Sequence, residues 1–353
     1  MSAIADRLRA ERELLDFRTG YWRGRARLKA LCDQEAPVVA GPFVSEIGFE
    51  SLYWIPLLTW LRDHQGLDPE RVTAVSRGGP SAWYAGVASR YVDVFDHMSP
   101  EELKQGTARR LADTRNEKQF GVAEVDREIL DRMSSVLPEG ARLLHPSIMY
   151  RLFWAFWSGR RPARRVHDMV SFTPFGAQRD GLSPEAREAI DALPEDYVAV
   201  KGYFSSCFPD TAANRRFMAE LLATLGRDTE IVSLSTGIDL DEHGELNGGA
   251  RVHSLEHVMT PATNLAVQSA VLGRARALYT TYGGFAHLGP FLGTRTVCFY
   301  SDEVFNATHL DMMSRATRDL RRTGSDVGFV LFDVRDADLV GLTQQPTPAW
   351  PRR

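Results

Sequence analysis

The stretch ALYTTYGGFAHLGPFLGTRTVCFY, residues 277–300, carries the strongest indication of the fold. A β-prone apolar run ends at Tyr282, two glycines and a short helical pattern follow, and a second β-prone run ends at Tyr300. A strand, a helix and another strand in succession predict parallel strands joined by a helix. In open α/β sheets, ligands bind beyond the carboxyl ends of the strands, which is where Gly283 and Gly284 fall.

The same alternation of strands and helices runs through the rest of the chain. PVVAGPFV, RVTAVS and VDVFDH predict strands in the first half, and YVAVKGYF, TEIVSLST, RVHSLE and VGFVLFDV predict strands in the second. A length of 353 residues suits two domains at roughly 150 residues each. The sequence therefore predicts an α/β protein with two Rossmann-like domains, residues 1–185 and 186–353, that face a central cleft.

Two helices of the second half have recognisable starts. PDTAANRRFMAELLATLG predicts a helix capped by Asp210 or Thr211 and stopped at Gly226. TPATNLAVQSAVLGRAR predicts a helix with Thr260 as its N-cap and Pro261 at its first position.

Composition excludes several classes of protein. The hydrophobic and charged fractions, 44% and 25%, are those of a globular protein, and the net charge of −4 provides no global basic field for nucleic acid. Three scattered cysteines predict reduced thiols. The first residues lack the apolar core of a signal peptide, and no apolar run is long enough to span a membrane. We expect a cytoplasmic protein, with any membrane contact peripheral and at the inner face.

The residues around three predicted strand ends point to chemistry. A helix that starts at Gly284 offers free N–H groups to an anion, although two glycines also suit an ordinary tight turn. Lys201 ends another strand and is followed by Ser205, so that the two could clamp phosphates, or Lys201 could simply face solvent. Glu46, which follows the first strand, is a candidate general base that could equally cap the next helix.

Two further features complete the loop after the first strand. Gly48 provides a flexible turn, and Glu50 lies four residues after Glu46, where it could share or replace the role of base. No G-x-G-x-x-G fingerprint and no Walker A loop occurs in the sequence, which disfavours ordinary NAD and P-loop ATP sites.

The arrangement resembles a known family. The order of elements from Tyr197 to Ser301 resembles the nucleotide-sugar domain of GT-B glycosyltransferases. The run HSLEHVMTPATNLAVQSAVLGRARALYTTYGGFAHLGPFLGTRTVCFYSD is most similar to bacterial enzymes of surface-polysaccharide assembly, and its layout is similar to that of heptosyltransferases and O-fucosyltransferases. The resemblance covers the C-terminal half well and the N-terminal half loosely.

The resemblance implies a set of site residues. It places the donor diphosphate at Tyr282, Gly283, Gly284 and Phe285, with Lys201 and Ser205 on its other side. It implies that Glu46 is the base, although this chain has SEIGFE where a heptosyltransferase has Asp. The residues that would border the nucleotide base, ribose or phosphates are Ser235, Thr236, Leu255, Glu256, His257, Val258, Thr263, Asn264 and Gln268.

The function that follows is transfer of a sugar from a nucleotide-diphosphate sugar to a hydroxyl of a saccharide or glycolipid. Helix N–H groups and a cation would stabilise the leaving diphosphate, so no metal and no cofactor is expected, and a carboxylate base favours inversion. Two alternatives stay open: a sugar-nucleotide epimerase on the same fold, and a non-catalytic saccharide- or nucleotide-binding protein.

Other patterns have competing interpretations. Asp239 and Asp241 form a D-x-D sequence, and His253 and His257 have a zinc-like spacing, but a solvated turn and a strand end are favoured over metal sites. His287 could bind the donor or pack within the short helix. The aromatic and arginine-rich run MYRLFWAFWSGRRPARR could rest on an anionic bilayer, but a buried helix is favoured.

Overall fold

The computed structural model describes residues 21–116, 118–159, 164–179, 181–236, 252–339 and 341. Two sheets organise this part of the chain, and every strand pair in both is parallel. The predicted α/β class with two parallel sheets is therefore confirmed. The division into domains at residue 185 stays a proposal.

The first sheet has four strands in the order β3-β2-β1-β4. They are β1 (Val38–Ala40), β2 (Val72–Ser76), β3 (Arg90–Asp93) and β4 (Arg142–Leu144). β1 and β2 are buried along their whole length, as expected for strands covered on both faces.

The second sheet has six strands in the order β10-β9-β8-β5-β6-β7. They are β5 (Tyr197–Lys201), β6 (Glu230–Ser233), β7 (Val252–Ser254), β8 (Ala277–Thr281), β9 (Arg295–Tyr300) and β10 (Phe329–Asp333). β8 and β9 pair directly, as the opening stretch of sequence predicts.

Among the described residues of the first half, residues 21–32 are helical. A π-helical turn, Glu50–Trp54, separates α1 from α2. The labelled helices are α1 (Ile47–Phe49), α2 (Ile55–Gln65), α3 (Ser81–Tyr84), α4 (Pro100–Thr114), α5 (Glu124–Arg132), α6 (Ser147–Trp157) and α7 (Arg164–His167).

The second half contains five labelled helices. They are α8 (Pro184–Asp191), α9 (Ala212–Leu225), α10 (Asn264–Leu272), α11 (Gly284–Phe291) and α12 (Ala307–Arg322). α9 has Thr211 as its N-cap and ends at Gly226, as predicted.

The predicted start of α10 is wrong by three residues. Thr260–Thr263 forms a turn, and the helix begins at Asn264 with Thr263 in the N-cap position. The amides of Leu265 and Ala266 donate to the carbonyl of Gly78, at 2.9 and 3.0 Å. A loop of the first half therefore caps this helix, which local sequence signals do not reveal.

The two halves share one buried core. A single hydrophobic cluster contains Trp54 and Phe153 from the first half and Leu265 and Phe291 from the second. Phe175, which lies between the sheets in sequence, stacks on Phe291 with ring centroids 4.8 Å apart. The carboxyl ends of β1 and β2 thereby come to lie against the helices that follow β7 and β8.

Candidate active site

Two segments that the sequence singles out are in direct contact. A Cβ atom placed on Gly284 would lie 3.0 Å from the backbone nitrogen of Gly48 and 3.2 Å from Cβ of Ile47. A Cβ atom on Gly48 would lie 2.9 Å from Nδ1 of His287. These glycines are needed for close approach of two backbones. We call this contact of Ile47–Gly48 with Gly284–His287 the junction.

Glu46 lies at the edge of the junction, immediately before α1. Its side chain is 59% exposed and forms an ion pair with Lys118, whose side chain is only 24% exposed. The Lys118 ammonium lies 4.7 Å from the centroid of the Phe49 ring, and burial lowers the pKa of Lys118 to about 8. Glu46 therefore presents a carboxylate to solvent beside a cation held against an aromatic face.

Glu50, the second predicted base, lies inside the first half. Its side chain is buried and accepts hydrogen bonds from the hydroxyls of Ser76 and Tyr84. Burial raises the pKa of Glu50 to about 7, against the lowering effect of these two bonds. The carboxyl is out of reach of a substrate here, so we retain Glu46 as the candidate base.

The Glu50 carboxyl makes folding stability depend on pH. Its pKa is higher in the folded chain than the value of 4.5 for an unperturbed glutamate, so the free energy of unfolding falls as pH rises from about 4.5 to about 7. Glu50→Gln cannot ionise at this position. We expect its free energy of unfolding, taken relative to that of wild type, to increase by about 2–3 kcal/mol from pH 4.5 to pH 8. Denaturant unfolding at both pH values measures this.

Asp93 titrates in the same range, and its charge contributes to the raised pKa of Glu50. Its pKa is raised to about 7 by burial, and this group is present in both proteins. The difference between wild type and Glu50→Gln therefore reports the ionisation of Glu50 together with its interaction with Asp93. A difference that stays constant from pH 4.5 to pH 8 would show that Glu50 ionises normally in the folded protein.

Two histidines lie side by side at the junction. The rings of His287 and His309 are 6.0 Å apart, and Nδ1 of His309 is 2.6 Å from the hydroxyl of Tyr53. Burial lowers the pKa of His287 to about 3 and that of His309 to about 4, so both rings are neutral at pH 7. Neither ring nitrogen of His287 has a hydrogen-bond partner within the part of the chain that the structure describes.

The glycine turn is covered in part. A Cβ atom on Gly283 would overlap the hydroxyl of Tyr203, which lies over the turn. Both glycines nevertheless keep some exposure, and Phe285 and Tyr282 are buried on either side of them. The first turn of α11 can therefore be approached from the exposed side of Gly283 and Gly284, where its amides have no acceptor within the helix.

Lys201 lies next to the same turn. Its ammonium is 5.3 Å from the centroid of the Phe285 ring and donates to the carbonyl of Leu234 at 2.8 Å. Ser205 follows in a tight turn in which its backbone pairs with Phe208. The cation is thus close to the start of α11, but its side chain is buried.

The remaining predicted contacts spread along the carboxyl edge of the second sheet. Ser235 and Thr236 are buried beyond β6, and Leu255 is buried beyond β7 ahead of a 3₁₀ turn, Glu256–Val258, whose His257 is exposed. β7 lies three strands from β8, a separation of about 14 Å at the usual strand spacing. These residues therefore lie along the same edge of the sheet as the glycine turn, on the side toward β7.

Asn264 and Gln268 lie at the buried start of α10. The Asn264 amide group donates to the carbonyl of Pro261 at 2.6 Å, and the Gln268 amide group donates to the carbonyl of Asn264 at 3.0 Å. Both side chains are almost fully buried, whereas Thr263 keeps some exposure. A role for Asn264 or Gln268 in binding ribose would require this loop to open.

The D-x-D sequence and the histidine pair are the two patterns that resemble metal sites. Asp239 and Asp241 lie outside the described residues, and Nε2 of His253 lies 3.0 Å from a carboxylate oxygen of Glu230. Among the residues that the structure describes, no group of three or more side chains could hold a metal ion.

The aromatic run forms the buried helix α6. It packs the rings of Tyr150, Phe153 and Trp157 around Phe49 and Tyr53. The helix therefore contacts the segment that directly follows Gly48 of the junction. Arg160 and Arg161 lie outside the described residues, as do the side chains of the next two arginines. No described helix is both long enough and apolar enough to cross a bilayer.

Sequence reasoning missed several residues of the site. Lys118 lies in a charged stretch from which nothing singles it out, and His309 lies in an ordinary amphipathic helix. Gly78 and Gly79 did carry a usable signal, because they follow β2 as Gly283 and Gly284 follow β8.

Comparison with known proteins gives structural similarity alone. No family model matches the chain, and no curated protein matches it significantly. The glycosyl transferase family 9 structure from Veillonella parvula DSM 2008 is 13% identical, with 90% of each chain covered and a TM-score of 0.46. The E. coli ADP-heptose lps heptosyltransferase II is 12% identical, with 81% of this chain and 98% of that chain covered and a TM-score of 0.41.

Epimerases are also among the similar structures. The UDP-GlcNAc 2-epimerase from Neisseria meningitidis bound to UDP-GlcNAc is 10% identical, with 88% of this chain and 90% of that chain covered and a TM-score of 0.36. At 10–13% identity, these similarities concern the fold alone. The chain is similar in layout to glycosyltransferases and to sugar-nucleotide epimerases, and its function has to be argued from the junction.

Proposed function

We propose that this protein is a glycosyltransferase that moves a sugar from a nucleotide-diphosphate sugar to a hydroxyl of a saccharide or glycolipid, with inversion and without a metal. One observation carries the proposal. The exposed carboxylate of Glu46 lies two residues from Gly48, and Gly48 touches the first residue of α11. A base and a helix N-terminus that suits an anion therefore lie at one place, each from a different sheet.

The chemistry can be written with these groups alone. Glu46 takes the proton of the acceptor hydroxyl while that oxygen forms a bond to the anomeric carbon and the bond from this carbon to the diphosphate breaks. Negative charge grows on the leaving diphosphate, where the amides of α11 and the nearby Lys201 would stabilise it. Attack from the side opposite the leaving group inverts the anomeric centre.

The donor binds along the carboxyl edge of the second sheet in this proposal. The diphosphate lies at Gly283 and Gly284, and the nucleoside extends toward the residues after β6 and β7, among them Ser235, Thr236 and His257. The order of strands supports this direction, because β5, β6 and β7 follow β8 across the sheet. The acceptor enters from the side of Glu46.

A thermal-shift screen tests the proposal. UDP, GDP, ADP, CMP and dTDP and their sugars are compared, and we expect one nucleotide to raise the melting temperature in proportion to the logarithm of its concentration. A ligand at 100 times its dissociation constant adds about 2.7 kcal/mol to the free energy of unfolding. The absence of a response to every nucleotide at millimolar concentration would contradict the proposal.

The same screen, followed by product analysis, separates the alternatives. Incubation of the responding donor with saccharide acceptors releases the nucleoside diphosphate and extends the acceptor if the protein is a transferase. An epimerase would change the sugar of the donor without an acceptor, and a binding protein would leave both unchanged.

A further inference from the structure

The described residues Lys118–Phe120, which lie between α4 and α5, are anchored to their surroundings. The amide of Lys118 donates to Oδ1 of Asn116 at 2.9 Å, and the amide of Phe120 donates to the carbonyl of Lys118 at 2.9 Å. The carbonyl of Phe120 accepts from Nε of Arg151 on α6 at 2.8 Å. This segment thus holds a fixed position beside the loop that follows β1.

Gln119 binds that loop directly. Its side chain is fully buried, its Oε1 accepts from the amide of Val44 at 3.1 Å, and its Nε2 donates to the carbonyl of Pro42 at 2.9 Å. Pro42 and Val44 are the residues that lead from β1 to Glu46. One side chain therefore fixes the backbone of the loop that carries the candidate base.

Asp126 fixes the orientation of Gln119. Oδ1 of this buried carboxylate accepts from Nε2 of Gln119 at 3.0 Å, and Oδ2 accepts from the amide of Ala123 at 2.7 Å. Because a carboxylate only accepts hydrogen bonds, it determines which end of the Gln119 amide faces it. His145 and Arg110 lie on its other sides, at 3.4 and 3.9 Å.

Lys118 binds the same loop at its far end. While Gln119 holds the backbone, the ammonium of Lys118 pairs with the Glu46 side chain and rests on the Phe49 ring. A cation that contacts a carboxylate favours its ionised form. The adjacent residues Lys118 and Gln119 therefore contact both the side chain of Glu46 and the backbone of the loop that carries it.

We propose that Lys118 and Gln119 are positioning residues for Glu46, with Gln119 fixing the loop and Lys118 orienting the carboxylate and keeping it ionised. The proposal rests on the proposed function only in giving Glu46 the role of base. Among the residues that the structure describes, the other titratable groups around this contact are His309 on α12, His287 on α11 and Tyr53 in the π-helical turn. None of them is charged at neutral pH.

The test follows the titration of Glu46 itself. Protein labelled with ¹³C at the glutamate carboxyls is titrated by NMR, and the Glu46 signal is assigned as the one lost in Glu46→Gln. Lys118→Met is expected to move the midpoint of this titration to higher pH by about 1 pH unit, since the exposure of Glu46 screens part of the interaction. Lys29→Met is the matched control, because it breaks the exposed ion pair of Lys29 with Asp33 at the end of the helix formed by residues 21–32. This variant should leave the Glu46 midpoint unchanged.

Gln119 is tested by the same signal and by hydrogen exchange. In Gln119→Leu we expect the Val44 amide to exchange at least 10-fold faster and the Glu46 midpoint to move in the same direction as in Lys118→Met. If Gln119→Leu does not fold, Gln119→Asn, which is one methylene shorter, replaces it. An unchanged midpoint in Lys118→Met overturns the role of Lys118, and an unchanged midpoint in the folded Gln119 variant overturns that of Gln119.

Failure of this proposal and failure of the proposed function give different results. The titration needs neither substrate nor turnover, so a shifted midpoint in a protein without transferase activity supports the positioning residues and rejects the base. In an active enzyme, the acid limb of the pH profile of kcat/KM should move with the NMR midpoint. A limb that stays in place while the midpoint moves would show that Glu46 is not the base.

Discussion

Replacing Glu46 with glutamine is expected to reduce the turnover of sugar transfer by a factor of about 100 or more while the affinity for the nucleotide stays within about twofold. Glutamine has nearly the same shape and can still accept a hydrogen bond from Lys118, but it cannot take a proton from the acceptor hydroxyl. In the proposed function the donor binds on the other side of the junction, at the start of α11, so its binding should survive. Initial rates with the donor found in the thermal-shift screen, together with the dissociation constant of its nucleotide, measure both effects.

Glu230→Gln provides the control for this change. Glu230 is also an exposed glutamate with a side-chain partner, His253 at 3.0 Å, but it is the first residue of β6 and thus lies at the opposite edge of the sheet. Its replacement should leave turnover unchanged. A Glu46→Gln enzyme with nearly full turnover would reject Glu46 as base, and loss of nucleotide binding in this variant would assign the residue to donor binding.

Local sequence signals predicted nine of the ten described strands and both ends of α9. They missed β4, and they placed the third strand at residues 92–97, where Val94–Asp96 forms a 3₁₀ turn after β3. β1, β2 and β8 are runs of apolar or β-branched residues buried on both faces, and such runs identify strands of parallel sheets. Thr211 and Gly226 bound α9 because a hydroxyl cap and a glycine stop act within a single turn. The positions of Glu46 and Gly284 at strand ends follow from the same pattern.

Contacts between segments that are far apart in the sequence could not be predicted in this way. Gly78 supplies a carbonyl to α10 across nearly 190 positions of the chain, and Lys118 meets Glu46 across 72. Each contact depends on how distant segments of the chain are brought together, which hydrophobic periodicity and helix caps do not encode. The burial of Glu50 has the same origin: its spacing from Glu46 places it one helical turn further on, beneath Ser76 and Tyr84.

The contact between the loop after β2 and the start of α10 can be tested at Gly79. We expect Gly79→Ala to lower the free energy of unfolding by about 2–5 kcal/mol, the sum of two costs. The residue has φ of +80°, and the left-handed conformation costs a non-glycine residue about 1–2 kcal/mol. The new Cβ atom would also lie 2.7 Å from the carbonyl oxygen of Ala262 and 3.1 Å from Cβ of Ala266, and such overpacking costs about 1–3 kcal/mol.

Gly66→Ala separates the two costs. Gly66 has nearly the same backbone conformation, with φ of +72°, but a Cβ atom there would meet nothing within 4 Å. Denaturant unfolding of the two variants should therefore show the conformational cost alone at Gly66 and the additional steric cost only at Gly79. If both lose the same stability, the start of α10 does not press on the loop after β2 in solution. If Gly79→Ala loses more and also weakens nucleotide binding, the contact between the halves sets the geometry of the site, because Ala262 belongs to the turn that leads into α10, at the sheet edge where the donor is proposed to bind.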